Sequence, residues 1–487
     1  MASYIYDSAL QLAKKIRSRD ISSKELTQSF IDRIERYDTD INAVVVRTFE
    51  DALRNAELAD AAVARGNLLG PLHGVPMTIK ESYVMANTAS TWGIEAFRDN
   101  YSAKDGLAVS RFREAGVIFL GKTNVPTDLA DFQSYNPIYG VTGNPYNTDR
   151  TPGGSSGGSA AALAGGFSAL EAGSDIGGSI RNPAHFCGVY GHKPTYGIIP
   201  MEGHELVAGI PEADLAVCGP LARSAEDLAV ALTIMACPAD REAIGIQLNL
   251  PPADFSQLKE LRVAIWATDD VAPVSQETAE RSYKVADILR QEGATVSETA
   301  RPNFDPVFAH KNYQTLLTAV MTSAMRPKEV AAATLAAEAL DPDNDSIGAV
   351  NLRAQVMSHR DWIRTNTKRE KLRRAWDAFF QDWDILVCPQ MATSAFPHDH
   401  RPFADRKVMV DQSAQPYFQQ IFWSGMVINA YLPSTVFPTG LSNSGLPIGL
   451  QAVSGPYRDH RTIEFARQIT QYIGGFEPPK NLAELKN

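Results

Sequence analysis

Two glycine-rich loops carry the residues of this chain best suited to chemistry: GGSSGGS at 153–159 and DIGGS at 175–179. Loops of this kind can do three things. They can cradle a phosphate with amide N–H groups ahead of a helix. Neither GxxxxGK[ST] nor GxGxxG occurs, however, so both nucleotide fingerprints are missing. They can form the strand–turn–helix elbow of an α/β-hydrolase. The letters Gly153-x-Ser155-x-Gly157 and Gly154-x-Ser156-x-Gly158 fit that pattern, but the preceding TDRTP does not read as a strand. His398, His400 and His460 read as solvated or structural and not as the last member of a triad. The third use is a serine activated by a lysine. Lys80 ends the apolar run VPMTI. Alone it would be an edge residue reaching water. Buried beside two serine loops it would lose its proton, because burial penalises the charged amine, and could then act as a base.

The elements that must position these groups alternate along the chain. Helices are predicted over 5–17, from Ser22 or Ser23 to about residue 37, over 52–64 behind Thr48 or Glu50, and over 106–114. Strands are predicted over 43–46, 75–79 and 117–120. The run GVTGNPYNTDRTPGGSSGGS, 140–159, is almost pure turn chemistry, and a structureless stretch this long inside a domain marks function. It leads into an Ala-rich helix at 159–165. Ser224, with Asp227 three residues on, opens another helix. Residues 245–258 read as a linker, 261–267 as a strand and 275–291 as a helix. Residues 305–383 are mostly helical, with Met321, Met325, Trp362 and Trp376 read as core stripes; the alternative is a helical lid over a substrate. Strands follow over 382–389 and within 426–455, and a last helix starts near Asp459. The pattern is α/β, with one interleaved unit over 1–487 and a helical insertion or lid at 305–383.

Composition narrows the partners. With 46 Lys and Arg against 56 Asp and Glu, the 487 residues carry a net charge of −10, which disfavours a general nucleic-acid binder. Cys187, Cys218, Cys237 and Cys388 form no CxxC pair and read as buried small side chains. No HExxH or standard zinc spacing occurs, so no metal is expected. MASYIYDSALQLAKKIRSRD lacks the apolar core of a signal peptide, and no stretch is long enough to span a bilayer; a cytoplasmic chain without membrane contact is the expectation.

The run GGSSGGSAAALAGGFSALEAGSDIGGSIRNPAHFCGVYGHKPTYG at 153–197 resembles the amidase signature family of serine hydrolases. GVPMTIKES at 74–82, GKTNVP at 121–126, GNPYN at 143–147, ILVCP at 385–389 and GLSNSGLPIGLQAV at 440–453 extend that resemblance over nearly the whole chain, most loosely between 240 and 380. It implies an amidase-signature fold: a mixed central sheet of about ten or more strands covered by helices on both faces. It also implies a Ser–cisSer–Lys triad. Ser179 resembles the nucleophile, Ser155 the bridging serine with a cis link from Gly154, and Lys80 the base. The backbone N–H groups of Ile176, Gly177, Gly178 and Ser179 resemble an oxyanion hole, and Ser156 supports it. Leu129, Ala130, Asp131, Phe132 and Gln133 sit where the family lines its acyl pocket. Asp175, Arg181 and Lys193 read as structural supports, with Arg181 anchoring the loop through carbonyls.

Those roles make chemical sense. Amide hydrolysis needs a nucleophile, a proton relay and donors for the oxyanion. Tandem glycines let the backbone aim its N–H groups without a Cβ in the way. One departure stands out: Glu81 follows the lysine, where the family has Asp. The stretch YGIIPMEGHELVAG at 196–209 is also unusual, and its His204 reads as a solvated loop residue, with ligand contact as the alternative. Phe132, Tyr135, Tyr313, Phe418, Phe422 and Trp423 either line the pocket or build the core. The resemblance implies an amidase for small or aryl acyl amides, with esterase activity, no cofactor, and a monomer or homodimer. Its rivals are an aryl-acylamidase, a carbamate or oligoamide hydrolase, the glutaminase component of a tRNA-dependent amidotransferase, and an inactive binding protein.

Overall fold

The computed structural model describes residues 4–483. Its fifteen strands are β1 Val44–Arg47, β2 Pro76–Lys80, β3 Ile118–Thr123, β4 Tyr135–Asn136, β5 Gly140–Val141, β6 Leu170–Asp175, β7 Tyr190–Lys193, β8 Val217–Ala222, β9 Arg262–Ile265, β10 Thr295–Ser297, β11 Ile385–Pro389, β12 Lys407–Val410, β13 Ser413–Pro416, β14 Ser434–Leu441 and β15 Pro447–Val453. Eight of them form one mixed sheet in the order β10-β9-β11-β15-β14-β7-β8-β6. The pairs β10/β9 and β9/β11 are parallel, and the rest are antiparallel. The sequence leads to an expectation of ten or more strands. That number is reached only by adding the three-stranded sheet β1-β3-β2, which abuts β6 through a hydrogen bond from Ala169 N–H to Pro76 O at 3.3 Å.

Helices cover both faces of the main sheet, and the period of two along β14 shows how. Phe437 meets Phe465 of helix Asp459–Ile473 edge-on, and Thr435 shares a hydrogen bond with Thr462 of the same helix. The alternate Ser434 donates to Gln451, which also accepts from Arg181 of helix Arg181–Cys187 on the opposite face. With both faces packed, the central strands are buried almost throughout, polar positions such as Glu171, His192, Lys193 and Gln451 included.

Local signals set most helix ends. Ser22 and Glu25 form a reciprocal capping box, and the helix they open runs Ser23–Ile41, four residues beyond the expected end. The first helix is Ala9–Ser18, opened by a second box from Ser8 and Gln11. Thr48 precedes helix Phe49–Ala64 but makes no side-chain cap. Ser224 caps its helix by accepting from Asp227 N–H, without the reciprocal bond. Two readings change. Residues 421–429 are a helix, Ile421–Asn429, where strands are expected from 426; this helix is wholly buried, so its apolar run carries no periodicity. Of the four residues read as core stripes in the helical 306–382 region, Trp376 is core; Trp362 and Met325 are half-buried, and Met321 is exposed. Cys187, Cys218 and Cys388 are buried, but Cys237 is only partly so. No helix among the described residues is long and apolar enough to cross a membrane.

Candidate active site

Strand β2 ends on Lys80, whose side chain is fully buried. Its amine donates to Ser155 Oγ at 2.8 Å and Ser174 Oγ at 2.9 Å. Burial drives its pKa down to about 7, against the opposing pull of Cys218, Asp175, Glu171 and Glu81. Lys80 is therefore an amine that can lose its proton near neutral pH, in hydrogen-bond contact with a serine.

Ser155 lies just ahead of helix Gly157–Gly165, which starts two residues earlier than expected. The Gly154–Ser155 peptide is cis. Gly154 can be only glycine: a Cβ there would lie 2.3 Å from Asp131 O and 2.5 Å from Gln133 O. Ser156 N–H donates to Ser179 O at 3.0 Å, and the Ser156 hydroxyl sits 3.4 Å from Ser174 O, so it ties the two serine loops together. The Ser155 and Ser179 hydroxyls have no direct hydrogen bond with each other; both lie on the wall of one cavity of about 890 Å³.

The second serine loop is held by a buried ion pair. Asp175 ends β6, and Arg181 opens the following helix, with Arg181 Nε 3.0 Å and Nη2 3.1 Å from the two carboxylate oxygens. Burial alone would raise the Asp175 pKa, but the Arg181 charge and hydrogen bonds outweigh it and hold the carboxyl below its usual value. Arg181 also reaches Gln451 and Ser424 O, so its main partner is a carboxylate, where the sequence leads to carbonyls. Asp175 further accepts from Gly178 N–H at 2.8 Å and Ile180 N–H at 3.1 Å. The four expected oxyanion donors thus divide: Gly178 is engaged by Asp175, whereas the N–H groups of Ile176, Gly177 and Ser179 donate to no acceptor among the described residues. Gly178 sits at φ 105, and a Cβ there would lie 2.3 Å from Ser424 Oγ. Lys193, also fully buried, donates to Pro194 O at 2.6 Å, and burial with Arg181 nearby lowers its pKa to about 7.

Glu81 answers the question its extra methylene raised. It turns away from Lys80 and accepts from Thr91 N–H at 2.6 Å and Trp92 N–H at 3.0 Å, fixing the loop that presents Trp92 to the cavity.

The remaining cavity wall is poorly legible in the sequence. Of the expected acyl-pocket run only Leu129 lies on it, joined by Asp128. Both residues adopt φ 55, a left-handed turn that swings Ala130–Gln133 away. Asp131 pairs with Arg406 at 2.7 Å and Tyr417 at 2.5 Å, Gln133 bonds Asp399, and Phe132 packs on Tyr417 and Phe418. None of the six aromatics singled out in the sequence lines the cavity. Tyr313 comes nearest, donating to Ile176 O at 2.7 Å from beneath the loop. Trp92, Phe97 and Trp362 line it in their place. His204 is buried and not solvated: it contacts Ser82 Oγ at 2.9 Å, packs on Tyr83 and Trp92, and lines the cavity. Ser174 is a contact that sequence reasoning misses. The signal for it is its place inside GSDIGGS, one residue before the Asp that anchors the loop.

Among the described residues no group of three or more His, Cys, Asp or Glu side chains could hold a metal ion. The site can therefore offer a lysine base, serine hydroxyls and free amide donors around one apolar chamber.

Comparison with known proteins shows the family. The chain is 32% identical to an indoleacetamide hydrolase of Bradyrhizobium diazoefficiens over 96% of this chain and 86% of that protein. It is 30% identical to the human fatty-acid amide hydrolase 2 (Homo sapiens) over 97% of this chain and 90% of that protein. Among solved structures, an inhibitor-bound complex bearing on the origins of an s-triazine catabolic enzyme superposes with a TM-score of 0.81 at 26% identity, covering 96% of this chain and 99% of that one. The Amidase family matches residues 25–463, most of the chain, and the chain therefore belongs to that family of amide hydrolases.

Proposed function

We propose that this enzyme hydrolyses the C–N bond of small aryl or acyl amides through a Ser179 acyl-enzyme. One observation carries the reading: a fully buried Lys80, its pKa near 7, in contact with Ser155 at 2.8 Å. As a neutral amine Lys80 takes the Ser155 proton while Ser155 takes that of Ser179. Ser179 Oγ attacks the amide carbon. The oxygen that gains charge is received by the Ile176, Gly177 and Ser179 amides, each such donor being worth about 3 kcal/mol in the transition state. The relay then runs backward and protonates the leaving nitrogen, and water cleaves the acyl-enzyme by the same path. The Ser155–Ser179 leg closes when substrate fills the cavity, as catalytic hydrogen bonds commonly do.

The aromatic walls from Trp92, Phe97 and Trp362 support an aryl or otherwise apolar acyl group. So does the similarity to an indoleacetamide hydrolase. A glutaminase role is disfavoured because glutamine brings a carboxylate, and no Lys or Arg lines this wall. Residues 305–383 act as a helical lid on this reading; Ala319–Met321, Ser323, Ala324 and Trp362 supply its inner surface. The enzyme works on a small-molecule amide in the cytoplasm, as monomer or homodimer.

The test is a hydrolysis panel of acetanilide, benzamide, a long-chain amide, glutamine and a carbamate. Mass measurement during turnover of a slow substrate should find the acyl group on Ser179. Acylation elsewhere, or wild-type turnover by Ser179→Ala, would overturn the assignment.

A further inference from the structure

The cavity wall is apolar but not electrically neutral. Asp128, Asp175, Glu205, Glu212 and Asp214 lie on it, and no Lys or Arg does. Three of these carboxylates are already satisfied. Asp175 is held by Arg181. Glu212 accepts from Met201 N–H at 2.7 Å. Asp214 pairs with Arg369 at 2.8 Å and accepts from Tyr431 OH and Leu215 N–H.

Asp128 is different. Its backbone is locked at φ 55, with its N–H donating to Trp92 O at 2.7 Å, so the residue is fixed relative to the aromatic wall. Its side chain opens onto the cavity and makes no hydrogen bond and no ion pair with any described residue. Asp128 is itself exposed at the edge of the cavity, and the protein packed on its cavity side raises its pKa, with no opposing charge nearby. A carboxylate beside apolar walls gains from a cation that enters with the substrate, since the substrate body displaces the water around it and the attraction is then less screened than in bulk water. Glu205, half-buried on the facing segment, likewise has no side-chain partner among the described residues.

The bases near this wall do not supply that partner. Lys80 sits behind Ser155 and is neutral in its working form. Burial lowers the His204 pKa, so it too is neutral, and its buried Nδ1 has no partner among the described residues. The chamber therefore presents one fixed, unpaired carboxylate beside its aromatic wall and no cation.

We propose that Asp128 is a specificity residue selecting amides that carry a cationic amine on the acyl part. The inference rests on the amidase reading for the bond cleaved but concerns a different contact. The amine pairs with Asp128 while the aryl or alkyl body lies against Trp92 and Leu129. A substrate with a carboxylate in that place meets two unpaired acids and is rejected.

Three amides of one shape test this: 4-(aminomethyl)benzamide, 4-ethylbenzamide and 4-(carboxymethyl)benzamide. Binding is measured with Ser179→Ala, which removes turnover, and in combination with Asp128→Asn or Glu205→Gln. Asn tolerates the left-handed backbone, so the first double variant keeps the turn. The expected order is cation over neutral by at least about tenfold and neutral over anion, with the cation's advantage gone in the Asp128→Asn background. Equal binding of the three, or an order that Asp128→Asn retains, overturns the proposal. An order lost with Glu205→Gln and kept with Asp128→Asn overturns the assignment to Asp128. Wild-type turnover is measured in parallel: binding in the expected order without hydrolysis of any amide supports the recognition and strikes the amidase reading alone.

Discussion

The two ends of the cavity are built on opposite plans. At the end where Lys80 meets the serine loops, most polar side chains have a protein partner: Lys80 with Ser155 and Ser174, Asp175 with Arg181, Ser156 with both serine loops. At the mouth the wall is made of single side chains from distant segments, Trp92, Asp128, Leu129, Met321 and Trp362, with few hydrogen bonds among them. A reacting group must be held to a fraction of an ångström, which hydrogen bonds and backbone do well. A substrate body needs shape and an apolar wall, which many side chains can supply. The first plan is intolerant of change and the second is adaptable.

Breaking the reacting end should have the largest effects. Ser179→Ala (S179A) is expected to lower kcat on every substrate by about 10⁴-fold or more, read by product release at saturation. Lys80 gives the next effect, and its sign is set by the neutral amine being the active form. Below about pH 7 the ammonium cannot accept a proton, so kcat/KM should fall about tenfold per pH unit on the acid side and level off above. A profile flat from pH 5 to 8 would rule out Lys80 as the titrating base.

The supporting ion pair sharpens the comparison by separating stability from chemistry. Asp175→Asn leaves the Arg181 charge buried without its counter-ion and should cost about 3–5 kcal/mol in denaturant unfolding. Replacing both partners by apolar residues should cost less than either single change; a double change that costs the sum would show that the two act independently.

Changes at the mouth should be smaller and confined to substrate choice. Trp362→Ala is expected to lower kcat/KM for an aryl amide by about tenfold through KM, with little effect on acetamide and on Tm. The smallest effect is assigned to Glu81→Asp. The shorter carboxylate loses its bonds to the Thr91 and Trp92 amides, and kcat/KM for aryl amides should drop by about three- to tenfold. An effect of Glu81→Asp on the acid limb of the pH profile would instead tie it to Lys80.

The same division decides what is legible in the sequence. The glycines and serines of 153–159 and 175–179, and Lys80 at a strand end, are readable because their types cluster in short runs, whereas the atoms that deny Gly154 and Gly178 a side chain come from distant segments. Helix starts at Ser22 and Ser224 are readable because a cap depends on residues three apart. Helix 421–429 reads as strand because a segment buried on all sides shows no period. Gly178 falls among the expected free amide donors because nothing in DIGGS says that Asp175 folds back onto it.

By itself, then, the sequence determined the family, through motifs that resemble it along nearly the whole chain, and the α/β alternation, and it singled out Lys80, Ser155 and Ser179 as the candidate reacting groups. Only the tertiary structure decided that Leu129 lines the cavity while Asp131 turns to Arg406 and Tyr417, that His204 is buried, and that Asp128 is left without a partner among the described residues. Those facts depend on which side chains meet across hundreds of residues, and no local propensity carries that information.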